Sequence, residues 1–448
     1  MVRYCLIFLL WLSQMPAAMA AEVAFVNVNV VGLQDERVLT EQTVLVRDQR
    51  IVSLGAVQDT EVPEGALIVD GTDRYLMPGL SEMHGHVPAE SGVDLERVLV
   101  LYVANGITNV RGMLGNAAHL QLRTDIASGE VLGPRLYTSG PSFNGNSVSS
   151  PGQAADKVRS QAAAGFDFLK IHPGLTRAEF VAMAKAAEEA GIRFAGHVPA
   201  DVGVPLALQH GIATIDHLDG YMPLLVPAHS GASGGFGGFF DVFLAPYADE
   251  SLLPAVARAS AEAGVWNVPT QSLFEHLVNA EPAQQMAAWP EMKYMPAATV
   301  RRWVESKNEL QADADYNDEL AARAILLRRQ LIKSLHDAGA GLLLGSDAPQ
   351  VFNVPGFSIH RELAMLVEAG LTPYQALRTG TVNAARWLGH AGETGTVERG
   401  QRADLVLLDD NPLADVRNTR RVHGVMLNGR WLDRAALDSL LLPFARQL

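Results

Sequence analysis

Cysteine is almost missing from this chain: Cys5 is the only one, and it lies within the first dozen residues. A disulfide framework and a thiolate metal site are both excluded. Any bound ions would have to be held by His, Asp, Glu or Lys, which suits zinc, manganese or similar metals. Long apolar runs are also lacking, since no stretch approaches the roughly 20 residues that span a bilayer. Basic runs are absent, and the net charge is −14, so nucleic acid is not expected as a partner. The acidity fits a soluble protein but selects no substrate.

The short apolar stretch at the N-terminus reads as a secretory signal. Arg3 is its basic part, Tyr4 to Leu12 its apolar part, and Ala18-Met19-Ala20 a small-x-small cleavage site. Residues 1–20 are therefore expected to direct export, to a bacterial periplasm or to the exterior, and to be removed. No stable membrane anchor is expected after cleavage. Cys5 would leave with the signal, in the wrong context for lipid attachment.

Beyond residue 21 the texture is β, then α/β, then β again. Ala24 to Val31 alternates, and Thr43–Arg47 and Arg50–Leu54 flank a turn at Asp48-Gln49. At the far end Ala403–Leu408 reads as a strand. Asn428-Gly429 is a hairpin signal between Val422–Leu427 and Trp431-Leu432. Residues 21–75 and 390–448 are thus expected to build one small composite β-sandwich domain.

Between them, strands are expected at 76–84, 107–112, 135–139, 167–172, 193–198, 213–217, 265–270 and 342–346, most of them followed by helical stretches. Thr176 to Glu179 is a capping box, and Thr372-Pro373-Tyr374-Gln375 opens another helix with proline at its first position. Eight such units over residues 76–389 indicate an α/β fold of the (β/α)8 TIM-barrel type. A doubly wound open sheet would usually place a glycine-rich phosphate turn after the first strand; His84-Gly85-His86 stands there instead. Residues two apart on a strand share a face, so both imidazoles are expected to point one way. The Gly/Phe-rich segment 230–240 could be either an aromatic lid or a plain insertion.

Catalytic residues of such a barrel lie at the C-terminal strand ends. Those positions hold His84 and His86, then Lys170, His197, His217 and Asp347. Any one alone is more often structural, but their joint placement is hard to assign to core packing.

This set resembles that of the amidohydrolase superfamily. The resemblance extends to Tyr75–Pro78, His360–Leu363, Asn383–Arg386, Gly395–Asp404 and Asn411-Pro412, and it favours the imidazolonepropionase-like branch that contains metal-dependent Xaa-Pro dipeptidases. It implies two divalent metal ions, with zinc expected. His84, His86 and Asp347 would hold the more buried ion, His197 and His217 the more exposed one. Lys170, N6-carboxylated, would bridge them; the alternative is an ordinary lysine paired with Asp347 in a one-metal site. The implied activity is hydrolysis of amide-type C–N bonds in dipeptides, N-acyl amino acids or cyclic amides. A metal-bridging hydroxide would attack, with Asp347 as general base and acid. His172, Tyr221 and Arg111 are candidates for contacting the small-molecule substrate. A homo-oligomer is left open.

Three other readings stand beside this one. A mononuclear-metal deaminase would want a carboxylate soon after the strand-five histidine, and Val198-Pro199-Ala200-Asp201 offers no glutamate. Phosphotriester or lactone hydrolysis is possible on the same fold. A non-catalytic binding barrel would be expected to have lost ligands.

Overall fold

A computed structural model describes residues 22–230, 232 and 239–446. The expected signal therefore lies outside the described residues, as do positions 231 and 233–238 of the Gly/Phe-rich segment. No helix among the described residues is long and apolar enough to cross a membrane.

Both ends of the chain meet in one mixed sheet. Its N-terminal strands are β1 (Val23–Val31), β2 (Val38–Arg47), β3 (Arg50–Ala56), β4 (Leu67–Asp70) and β5 (Tyr75–Pro78). Eight parallel strands occupy the middle of the chain: β6 (Leu80–Gly85), β7 (Ile107–Gly112), β8 (Arg135–Thr138), β9 (Leu169–Ile171), β10 (Phe194–Gly196), β11 (Thr214–Asp216), β12 (Trp266–Val268) and β13 (Gly341–Leu342). β14 (Leu405–Leu408), β15 (Val422–Leu427) and β16 (Arg430–Asp433) complete the mixed sheet, in the order β16-β15-β14-β5-β1-β2-β3 with β4 on β1. The Asn428-Gly429 hairpin forms with φ of 50° and 77°, the paired left-handed residues that a two-residue turn requires. Asp48 and Gln49 turn in the same way, with φ of 48° and 65°.

The parallel strands form two sheets, β6-β7-β8 and β13-β12-β11-β10-β9. Backbone contacts join them at both edges. Asp167 N donates to Thr138 O and Ser139 bridges Phe168; on the other side Met83 N donates to Leu344 O and Asp347 N to His84 O. The expected strand 76–84 is two strands. At Gly79 the chain leaves the mixed sheet, where β5 pairs with β14, and enters the parallel one. A Cβ at Gly79 would lie 2.2 Å from Thr108 Cγ2, so the crossing needs glycine.

The helix Arg177–Ala190 begins with the Thr176/Glu179 capping box and Pro373–Thr379 with the Thr372/Gln375 box. Apolar packing among the described residues falls into three clusters. The largest lies between strands and helices, and a second lines the mixed sheet around Phe25, Leu405 and Met426. The third joins Met83, Phe168, Ala195, Val268 and Leu343, drawn from five of the parallel strands (β6, β9, β10, β12 and β13) or residues beside them, and includes Trp387.

Candidate metal centre

Polar side chains gather where the parallel strands end. One ligand atom from each of His84, His86 and Asp347 lies within 4.8 Å of the others. Asp347 Oδ1 is 2.5 Å from His86 Nε2 and 3.5 Å from His84 Nε2, and Lys170 Nζ is 3.4 Å from His84 Nε2. The imidazoles continue as a row, with ring centroids 4.4 Å apart from His84 to His217, 4.5 Å from His217 to His197 and 5.2 Å from His197 to His172. The six residues expected at the strand ends are thus brought into one neighbourhood.

Local backbone makes this convergence possible. His217 and Asp347 take left-handed φ of 63° and 62°, rare for non-glycine residues and characteristic of functional sites. The turn lets His217 and the preceding Asp216 both serve the site, although strand alternation would separate them. Gly85, between the two histidines, leaves room for Tyr102: a Cβ there would sit 2.8 Å from its hydroxyl, which donates to Ala348 O.

Three of the rings meet a polar partner at Nδ1. His84 Nδ1 lies 2.9 Å from Asp216 Oδ2, though out of line for a good hydrogen bond. His197 Nδ1 pairs with Asp219 Oδ2 at 3.0 Å and His217 Nδ1 with Thr270 Oγ1 at 2.8 Å. Nε2 is then the nitrogen left to coordinate, the arrangement in which outer partners fix tautomer and ring direction. Glu82 ties the strands together by accepting from His84 N, Ser346 N and the Ser346 hydroxyl. Fully buried Arg328 donates to His217 O at 2.7 Å and Pro269 O at 2.9 Å, pinning the two turns that carry His217 and Thr270.

Electrostatics favour ligand forms. Burial, then Lys170 and His86, hold the His84 imidazole well below its usual range; burial and the neighbouring histidines do the same for His217. Burial brings Lys170 down to about 8 despite Asp216 and Asp347, so its amine sheds a proton readily. Neutral imidazoles, a deprotonatable amine and a carboxylate fit divalent ions. Exposure does not divide the site as expected. His84, Lys170 and His217 are the deep residues, while His86 and His197 keep 18% and 13% of their side chains exposed.

Two substrate candidates are placed elsewhere. Arg111 is fully buried, donating to Thr214 Oγ1 and to both oxygens of Asp216 at 3.1 Å, with its guanidinium 4.7 Å from the Trp387 ring centroid. Its charge is used up by Asp216 behind His84. Tyr221 is buried with its hydroxyl bonded to Ser260 Oγ and Asn267 Oδ1, both at 2.8 Å. His172 stays in play, half-buried beside His197 with Nδ1 unpartnered among the described residues. His360 bonds Thr419 instead of the centre. Sequence reasoning missed Asp216, Asp219, Thr270, Glu82 and Arg328. Only the acidic residues flanking His217 gave a visible signal.

The chain is 24% identical over 443 residues to ochratoxinase of Aspergillus niger, covering 89% of this chain and 83% of that one. It is 33% identical over 128 residues to imidazolonepropionase of Agrobacterium fabrum, covering 23% of this chain and 29% of that one. A solved Xaa-Pro dipeptidase with bound methionine superposes with a TM-score of 0.65 at 17% identity, covering 92% of this chain and all (100%) of that one, which shows a common fold. Residues 75–432 match the amidohydrolase family, and the chain belongs to that family of carbon–nitrogen hydrolases.

Proposed function

We propose that this protein is a two-metal hydrolase of amide-type C–N bonds in small molecules, in the class of dipeptides, N-acyl amino acids or cyclic amides. The observation that carries the reading is the convergence of His84, His86 and Asp347 beside a buried Lys170 whose amine is poised to lose its proton. His84, His86 and Asp347 would hold one ion and His197 and His217 the other, with Lys170 as an N6-carboxylate between them and zinc as the expected metal. When bound, such ions supply Lewis acidity, which lowers the pKa of water and polarises a carbonyl. Asp347 takes the proton from the attacking water and hands it to the leaving amine. Asp219, Asp216 and Thr270 keep the imidazoles facing inward. His172, neutral and unpartnered at Nδ1, is placed to hydrogen-bond substrate.

The scaffold for this chemistry is read as a closed (β/α)8 barrel over residues 76–389. Support comes from the contacts at both edges of the parallel sheets and from the apolar layer of Met83, Phe168, Ala195, Val268 and Leu343, as in a filled barrel interior. Residues 21–75 with 390–448 form the companion β unit, and residues 1–20 act as the export signal.

The test is metal content of protein purified without chelator and with bicarbonate. About two ions per chain, both lost in Lys170→Ala, are expected. One ion unaffected by Lys170→Ala would favour a mononuclear deaminase. Near-normal turnover in metal-loaded Asp347→Asn would remove the proton role from Asp347.

A further inference from the structure

The segment His360–Leu363 supplies none of the ligands, yet its Glu362 is fully buried close behind the centre. The Glu362 carboxylate accepts from Gln271 N at 2.9 Å and Ser272 N at 2.6 Å, the first two amides of the helix Gln271–Val278. Amides of a first turn have no acceptor within their own helix, and the side chain just before the helix commonly serves them. That residue is Thr270, and its side chain makes no such bond. Its backbone is left-handed, with φ and ψ both 45°, and its hydroxyl meets His217 Nδ1 at 2.8 Å instead. All eight residues of the helix are buried. Burial pushes the Glu362 carboxyl up to about 7, even with the two amides and Arg328 acting against it. A threonine cap would serve an amide without taking a carboxyl out of water. At the far end of the same helix, fully buried Lys307 donates to His276 O at 2.7 Å and Asn279 O at 2.8 Å. Both charges suit the helix dipole, and of the two it is Glu362 that adjoins the turn carrying Thr270.

We propose that Glu362 is a positioning residue for the centre: by capping the helix Gln271–Val278 from another helix, it leaves the Thr270 hydroxyl free to orient His217. This role rests on the reading of His217 as a metal ligand. Glu362 lies in the helix Phe357–Glu368, four residues after Ser358, and the two share a face. Ser358 Oγ bonds Ser346 Oγ at 2.7 Å, next to the ligand Asp347. One helix face thus braces the turns that carry two of the expected ligands. Glutamine at 362 would present one oxygen and one N–H group to two N–H donors, so one amide would meet a donor. The first turn of the helix would then shift, and Thr270 with it.

Zinc affinity, measured by competition with a chelating dye, tests this on the full-length wild type, Glu362→Gln, Thr270→Val, their double variant and Lys307→Met. One ion should bind about tenfold more weakly in Glu362→Gln and in Thr270→Val. The double variant should lose no more than either single one, because both act through one contact. Lys307→Met should lower Tm while zinc affinity stays within about twofold of the wild type, since its cap lies at the other end of the helix. Should Glu362→Gln fail to fold, Glu362→Asp takes its place, its shorter carboxyl being unable to hold both amides. Wild-type zinc affinity in Glu362→Gln, losses that multiply in the double variant, or an equal zinc loss in Lys307→Met would overturn the role. Amide hydrogen exchange on metal-free protein separates it from the proposed function. Exchange in the His217 turn should quicken in Glu362→Gln and not in Lys307→Met. That pattern in a protein that binds no zinc would defeat the proposed function and leave the coupling of Glu362 to His217 standing.

Discussion

Replacing Arg111 by Met tests whether this arginine serves substrate or scaffold. It lies with Asp216 in a fully buried pair, joined by two contacts of 3.1 Å. Burial alone would raise the Asp216 carboxyl, yet Arg111 and Lys170 outweigh it and keep the group below its ordinary value. At an effective dielectric of about 20, opposite charges about 4 Å apart attract by roughly 4 kcal/mol. Breaking a buried pair from one side costs about 3–5 kcal/mol. Met fills much of the volume and keeps contact with Trp387, so the charge dominates the loss. With about 2.1 cal/mol/K per residue at the transition, a chain of this length should lose roughly 3–6 °C in Tm. Urea titration of the wild type, Arg111→Met, Asp216→Asn and the double variant measures the coupling directly. The double variant should be less destabilised than the sum of its parts. If Arg111→Met stays within about 1 kcal/mol of the wild type while KM for carboxylate-bearing substrates rises sharply, the scaffold assignment is wrong and Arg111 binds substrate.

Asp219→Asn removes the anionic partner of His197, so affinity for the ion on that side should fall about 10–100-fold by competition with a chelating dye, and stability should change little. Arg328→Met leaves His217 O and Pro269 O without their buried donor. A loss of about 2–5 kcal/mol is expected in urea, together with lower metal occupancy, whereas full occupancy would show that the His217 turn holds itself. Burial and nearby Asp219 raise Asp241 to about 6. The folded state therefore keeps a proton that the unfolded chain releases near pH 4, and the contribution of Asp241 to stability declines as pH rises from about 4 to 6. Asp241→Asn should match the wild-type Tm near pH 4 and exceed it at pH 7; equal Tm values at both pH values would contradict this.

Much of the centre was legible in the chain because its ligands sit at strand ends, where sequence spacing and side-chain direction are coupled. His84 and His86 share a face by the two-residue period, and an apolar run delimits each strand that carries Lys170, His197 and His217. The turns were equally readable, since Asn428-Gly429 and the two capping boxes are local chemistry.

What the sequence could not convey depends on partners distant in the chain. From sequence Arg111 could hold a substrate carboxylate or, more simply, form a salt bridge, and only tertiary packing named the partner by putting Asp216, 105 positions away, against its guanidinium. Strand alternation gave Asp216 and His217 opposite faces, until a left-handed turn pinned by Arg328 let both serve one centre. Gly79 divides a continuous apolar run between two sheets because each half finds its pairing partner elsewhere in the chain. Composition and local period determined the elements and the ligand types. Long-range pairing of buried charges decided which polar residues stay available for chemistry, because an ion removed from water must find its counter-charge wherever the fold provides one.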